Sequence, residues 1–127
     1  MKTKILVIED NAQNRYLVTY LLEANGYEVF AAKDGREGIG LAGRLLPALI
    51  LLDIQLPGMD GYLVAQTLRQ NPALDGVPIV AVTSYAMVGD RERVLAAGCT
   101  GYIEKPINPD TFISEIEKYL QFDEAWS

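Results

Sequence analysis

The sequence predicts an α/β domain built on a five-stranded parallel sheet with helices on both faces. Two observations carry this class. Five short apolar runs alternate strictly with five helical stretches along 127 residues, and strict βα alternation closes into a parallel sheet through right-handed crossovers. The central run, ALILL over 48–52, shows no apolar/polar alternation, so it reads as a strand covered on both faces.

The first strand is KILVI, 4–8, ending on Glu9 and Asp10. From Asn14 onward, Leu17, Tyr20, Leu21 and Ala24 form a helical stripe at i, i+3, i+4 and i+7, with Gly26 after Asn25 as its C-terminal cap. A short strand over 29–32 leads to a glycine-weakened helix over 34–46, which Pro47 stops. The third strand runs from 48 to Asp53, and a Pro-Gly and Asp-Gly loop precedes a helix over 62–70. Pro78 introduces the fourth strand, 79–82, which ends on Thr83 and Ser84; a weaker helix over 88–97 closes at Gly98. The fifth strand, 101–104, ends on Lys105-Pro106, where a cis bond would aim the lysine at the sheet edge. Asn108-Pro109 then supplies a cap and a first-turn proline for a last helix with Phe112, Ile113, Ile116 and Leu120 as its core stripe.

A chain of this length forms one domain and buries roughly two-thirds of its unfolded surface. Half of its residues are hydrophobic and 22% are charged, an ordinary globular composition. The net charge of −6, with no Lys/Arg cluster, argues against direct nucleic-acid binding. The apolar stretch 5–8 is too short for a signal-peptide core, and nothing approaches a membrane span. Cys99 is the only cysteine, which rules out an internal disulfide, so a cytoplasmic home is expected, with Cys99 a small buried hydrophobe or turn residue. The chain has no histidine, which excludes an internal His-dependent triad, a His-ligated zinc or a phosphohistidine. Any histidine chemistry belongs to a partner.

In open α/β sheets ligands bind beyond the carboxyl ends of the strands. Here those ends carry Glu9, Asp10, Asp53, Thr83, Ser84 and Lys105. Two unit charges 4 Å apart interact by roughly 4 kcal/mol at an effective dielectric of 20, so three crowded carboxylates need positive charge beside them. Lys105 supplies one charge, and a Mg2+ held by carboxylates, a carbonyl and waters supplies the rest. Such a site suits phosphoryl transfer, with Asp53 as nucleophile and the Thr83 hydroxyl donating to the phosphoryl group.

Glu9-Asp10, LLDIQLPGMDG, VTSYA and YIEKP, in this order and spacing, resemble the receiver domain of two-component response regulators, of the single-domain, chemotaxis-regulator-like type. The match covers essentially the whole chain, taken as a receiver over 1–122 and a C-terminal tail over 123–127. The resemblance implies a flavodoxin-like, doubly wound (βα)5 fold with strand order 2-1-3-4-5. It implies Asp53 as phosphoacceptor, Glu9 and Asp10 with Asp53 as Mg2+ ligands, and the backbone carbonyl of Gln55 completing the metal site. Thr83 matches the switch hydroxyl, Lys105 the family's lysine and Tyr102 the switch aromatic. The acidic pair is Glu-Asp rather than the frequent Asp-Asp, so the longer Glu9 reaches the metal directly or through water. Gln55 and Tyr85, two residues beyond Asp53 and Thr83, match positions that tune the lifetime of the aspartyl phosphate.

The implied partners are a histidine kinase or histidine phosphotransfer protein as donor and a target protein docking on the helix over 88–97, the fifth strand and the last helix. Turnover of an external substrate is not expected. A haloacid-dehalogenase-type phosphatase would need a second Asp at position 55, which is Gln. A flavin-binding module would want a Ser/Thr/Gly-rich phosphate loop where EDNAQN stands.

Overall fold

A computed structural model describes residues 2–56, 58–84 and 88–124. Five parallel strands, β1 (Lys4–Ile8), β2 (Glu28–Ala32), β3 (Leu49–Asp53), β4 (Ile79–Thr83) and β5 (Gly101–Glu104), pair in the order β2-β1-β3-β4-β5. Between and after them lie α1 (Ala12–Ala24), α2 (Gly35–Leu45), α3 (Gly61–Arg69), α4 (Val88–Ala96) and α5 (Phe112–Glu124). This is the flavodoxin-like, doubly wound arrangement.

The two-residue period of a strand sorts the apolar runs onto two faces. Leu6 and Ile8, Ile50 and Leu52, and Ile79 and Ala81 join one buried cluster with Val64 and Leu68 of α3 and Val94 of α4. Ile5 and Val7, Leu49 and Leu51, and Val80 and Val82 join the other, with Val18 and Leu22 of α1 and Phe112 and Ile116 of α5. Both faces of β3 are therefore dry, and all five of its residues are buried.

Local chemistry sets the boundaries. Asn11, Asp34 and Asp60 cap α1, α2 and α3, each side chain accepting a backbone N–H in the first turn. The Asn11 cap starts α1 at Ala12, two residues earlier than its apolar stripe indicates. Gly26 and Gly98 take positive φ just past α1 and α4, as the sequence predicts. A 3-10 turn at Pro72–Leu74, capped by Asn71, is an element the apolar pattern does not reveal. Before the last helix, Asn108 accepts the Asp110 N–H and so caps a lead-in turn; α5 itself begins at Phe112 and continues through Glu124.

Glycine is required at two close approaches. A Cβ on Gly61 would lie 2.5 Å from Ile54 Cα, so only glycine lets α3 start against the end of β3. A Cβ on Gly101 would run into the Tyr119 hydroxyl, which covers the outer edge of β5. Cys99 is buried, and burial pushes its thiol up to about 11. Among the described residues no helix is long and apolar enough to cross a membrane.

Candidate functional site

Alternation along the strands decides which polar side chains meet. Residues 49, 51 and 53 of β3 share a face, and the ladder of β1 extends to Glu9, whose N–H donates to Ala32 O at 3.0 Å, so Glu9 follows Ile5 and Val7. Lys105 follows Ile103, and its N–H donates to Thr83 O at 2.8 Å. Asp53, Glu9 and Lys105 therefore converge at the carboxyl edge on the α1/α5 side, where β1, β3 and β5 end.

The geometry there is close. Asp53 is 2% exposed and Glu9 5% exposed, yet both are ionisable. Lys105 Nζ stands 3.2 Å from Asp53 Oδ1 and 3.4 Å from Glu9 Oε1. The Gln55 N–H donates to Asp53 Oδ1 at 2.9 Å, and the Asn11 N–H donates to Glu9 Oε2 at 3.2 Å. The Lys105–Pro106 peptide is cis. Burial, then the hydrogen bond to Asp53 and the charge of Asp53, push the Glu9 carboxyl up to about 7; the Asn11 N–H and Lys105 oppose the shift.

Oxygens of Glu9, Asp10 and Asp53 all lie within 4.8 Å of one another, with Asp10 on the solvent side. Three hard oxygen donors at this spacing fit a small divalent cation. One lysine against three carboxylates leaves an excess of negative charge, and the charge of Asp53 adds to burial in holding Glu9 up. The donor set is all oxygen, which fits magnesium better than zinc or copper. A cleft of about 310 Å³ lined by Asn14, Ser84, Lys105, Pro106 and Ile107 opens beside the cluster.

Thr83 and Tyr102 belong to the opposite face. Thr83 follows Ile79 and Ala81, and Tyr102 pairs with Ala81, so the two lie diagonally adjacent on the α4 side. Thr83 is buried and Tyr102 half-buried. The Arg91 guanidinium of α4 sits 5.3 Å from the Tyr102 ring centroid, and the Tyr102 N–H donates to the Tyr119 hydroxyl of α5. The Gln55 side chain is exposed, and Tyr85 lies outside the described residues.

Sequence reasoning missed two contributors. Arg15 Nη1 donates to Glu9 O at 2.9 Å and to Asp10 O at 3.3 Å, and Asn11 contributes a backbone N–H. An arginine on the first turn of a helix reads as a solvated charge, and a main-chain donor has no sequence signal at all.

Residues 5–117 match the response regulator receiver domain family. The polar-differentiation response regulator DivK of Brucella anthropi is 42% identical over 120 residues, spanning 94% of this chain and 98% of that protein. A chemotaxis response regulator of Vibrio cholerae superposes with a TM-score of 0.90 at 28% identity, covering 94% of this chain and 99% of that one. The receiver domain of a sensor histidine kinase from Pseudomonas aeruginosa, solved with a magnesium ion coordinated in its active-site cleft, gives 0.87 at 32% identity, covering 95% and 99%. With its strand order, its acidic edge and this family match over most of its length, the chain belongs to the response regulator receiver domains of two-component signalling.

Proposed function

We propose that Asp53 is the phosphoacceptor of this receiver and that the chain works as a protein–protein switch without turning over an external substrate. One observation carries the reading: a buried Asp53 stands at the carboxyl edge with Lys105 at 3.2 Å and with Glu9 and Asp10 oxygens within 4.8 Å. A carboxylate so placed has no packing role that a Leu would not fill better, and among the described residues its burial is offset by Lys105 and by the Gln55 N–H.

Glu9, Asp10 and Asp53 would hold Mg2+, joined by the Gln55 carbonyl. Bound there, the ion would neutralise charge on the oxygens of the phosphoryl group in transfer. Asp53 attacks the phosphorus of a partner's phosphohistidine, the P–N bond breaks, and the imidazole leaves with the electron pair. A phosphohistidine donor lies outside these 127 residues, which contain no histidine. Lys105 holds Asp53 as its counter-ion before transfer and meets the phosphoryl charge afterwards. Thr83 then turns toward the new anion, and Tyr102 follows on the same face, which alters the surface of α4, β5 and α5 for a target protein. A histidine kinase or phosphotransfer protein as donor places this chemistry in the cytoplasm.

The test uses a small acyl phosphate as donor. Incubation with Mg2+ should give one phosphoryl adduct on the parent, none on Asp53→Asn, and none on the parent in chelator. Equal labelling of parent and Asp53→Asn would refute the assignment.

A further inference from the structure

We infer that Arg15 is the positioning residue of the acidic loop: by holding the carbonyls of Glu9 and Asp10 it fixes the direction in which their carboxylates meet a divalent cation. This rests on reading the cluster as a cation site. The sheet holds the chain as far as the Glu9 N–H, and the helix holds it again from Asn11 O, which accepts the Arg15 N–H at 2.9 Å. The two carbonyls between these anchors, Glu9 O and Asp10 O, lie beyond the last paired residue of β1.

A single nitrogen, Arg15 Nη1, binds both, at 2.9 Å and 3.3 Å. Each peptide is planar, so fixing Glu9 O orients the plane that leads into Asp10, and fixing Asp10 O orients the plane that carries the Asn11 N–H. That N–H in turn donates to Glu9 Oε2 at 3.2 Å. The Glu9 carboxylate is thus tied to a peptide plane that the guanidinium holds, the Asp10 Cα lies between the two held planes, and the hydrogen bonds of Arg15 are the stronger, charge-assisted kind.

Charge alone predicts the reverse effect. A guanidinium beside the site repels an incoming cation, so on Coulomb's law removing it tightens Mg2+ binding. Positioning predicts looser binding. Partners that orient metal ligands typically change affinity by about 10- to 100-fold; acting through the backbone, Arg15 falls at or below the lower end, roughly three- to tenfold.

The experiment is calorimetric titration of Mg2+ into the full chain at neutral pH and fixed ionic strength, with thermal midpoints measured in chelator. Arg15→Met keeps the aliphatic stem and removes the donors and the charge. It should bind Mg2+ about three- to tenfold more weakly with an unchanged midpoint in chelator, and Arg15→Lys should recover part of the loss. Binding by Arg15→Met as tight as the parent's, or tighter, overturns the inference. If the Met variant does not fold, the Lys variant decides: weaker binding despite the retained charge supports positioning, and parent affinity overturns it. A parent chain that takes up no Mg2+ overturns the cation reading itself, and this inference with it.

Discussion

Glu9 sets the pH behaviour of the site. Its carboxyl titrates near 4.5 when unfolded and at about 7 in the folded chain, pushed up first by burial and then by Asp53. A raised carboxyl pKa means that the folded state binds the extra proton, so its stability is fully present below pH 4.5 and is lost as pH rises through about 7. The penalty at pH 8 is on the order of 3 kcal/mol. In chelator, the stability difference between parent and Glu9→Gln should therefore grow in favour of the Gln variant from pH 5 to 8; a flat difference would show that Glu9 ionises freely. A cation on the cluster reverses the sign by favouring the ionised form, so added Mg2+ should raise the parent's thermal midpoint more at pH 8 than at pH 5.5. Lys105 sits between the same carboxylates, and Lys105→Ala should lose transfer chemistry while keeping a cooperative thermal transition.

At the scale of elements, β5 and α5 are locked by a tyrosine over a glycine. The Tyr119 hydroxyl occupies the space that a Cβ on Gly101 would take and accepts the Tyr102 N–H at the open edge of the sheet. Gly101→Ala should destabilise by about 1–3 kcal/mol through overpacking, and the cost should shrink in a Tyr119→Ala background. Additive effects in the double variant would contradict this packing. The same elements show what a sequence displays. All five strands were legible because buried parallel strands are short apolar runs, and the caps at Gly26 and Gly98 were legible because turn chemistry is local. The 3-10 turn at Pro72–Leu74 was not, since three residues carry no periodicity, and α5 reaches Glu124 although its apolar stripe ends at Leu120. Asp53, Glu9 and Lys105 were legible as a group because each ends a strand at one sheet edge. Arg15 was not, because its role depends on where two carbonyls point.

Across the whole molecule the sheet separates the residues of the proposed chemistry from those of the proposed readout. The carboxylates and Lys105 end strands on the α1/α5 side, whereas Thr83 and Tyr102 lie on the α4 side, and β4 and β5 join the two through the Lys105 N–H on Thr83 O. A phosphoryl group on Asp53 would thus be next to the Lys105 charge on one face and one strand away from Thr83 on the other. In this account Thr83→Ala still accepts phosphate but loses phosphorylation-dependent binding of the target, and target binding that still responds to phosphorylation would break the proposed coupling. All of this depends on where the phosphoryl group sits. The most direct measurement is to phosphorylate the parent chain with a small acyl phosphate and Mg2+, reduce the acyl phosphate with borohydride, and locate the resulting homoserine by peptide mass spectrometry. Homoserine is expected at position 53 and nowhere else; homoserine at Asp10 or another aspartate, or 2-amino-5-hydroxypentanoic acid at a glutamate, with Asp53 unchanged, would overturn the assignment.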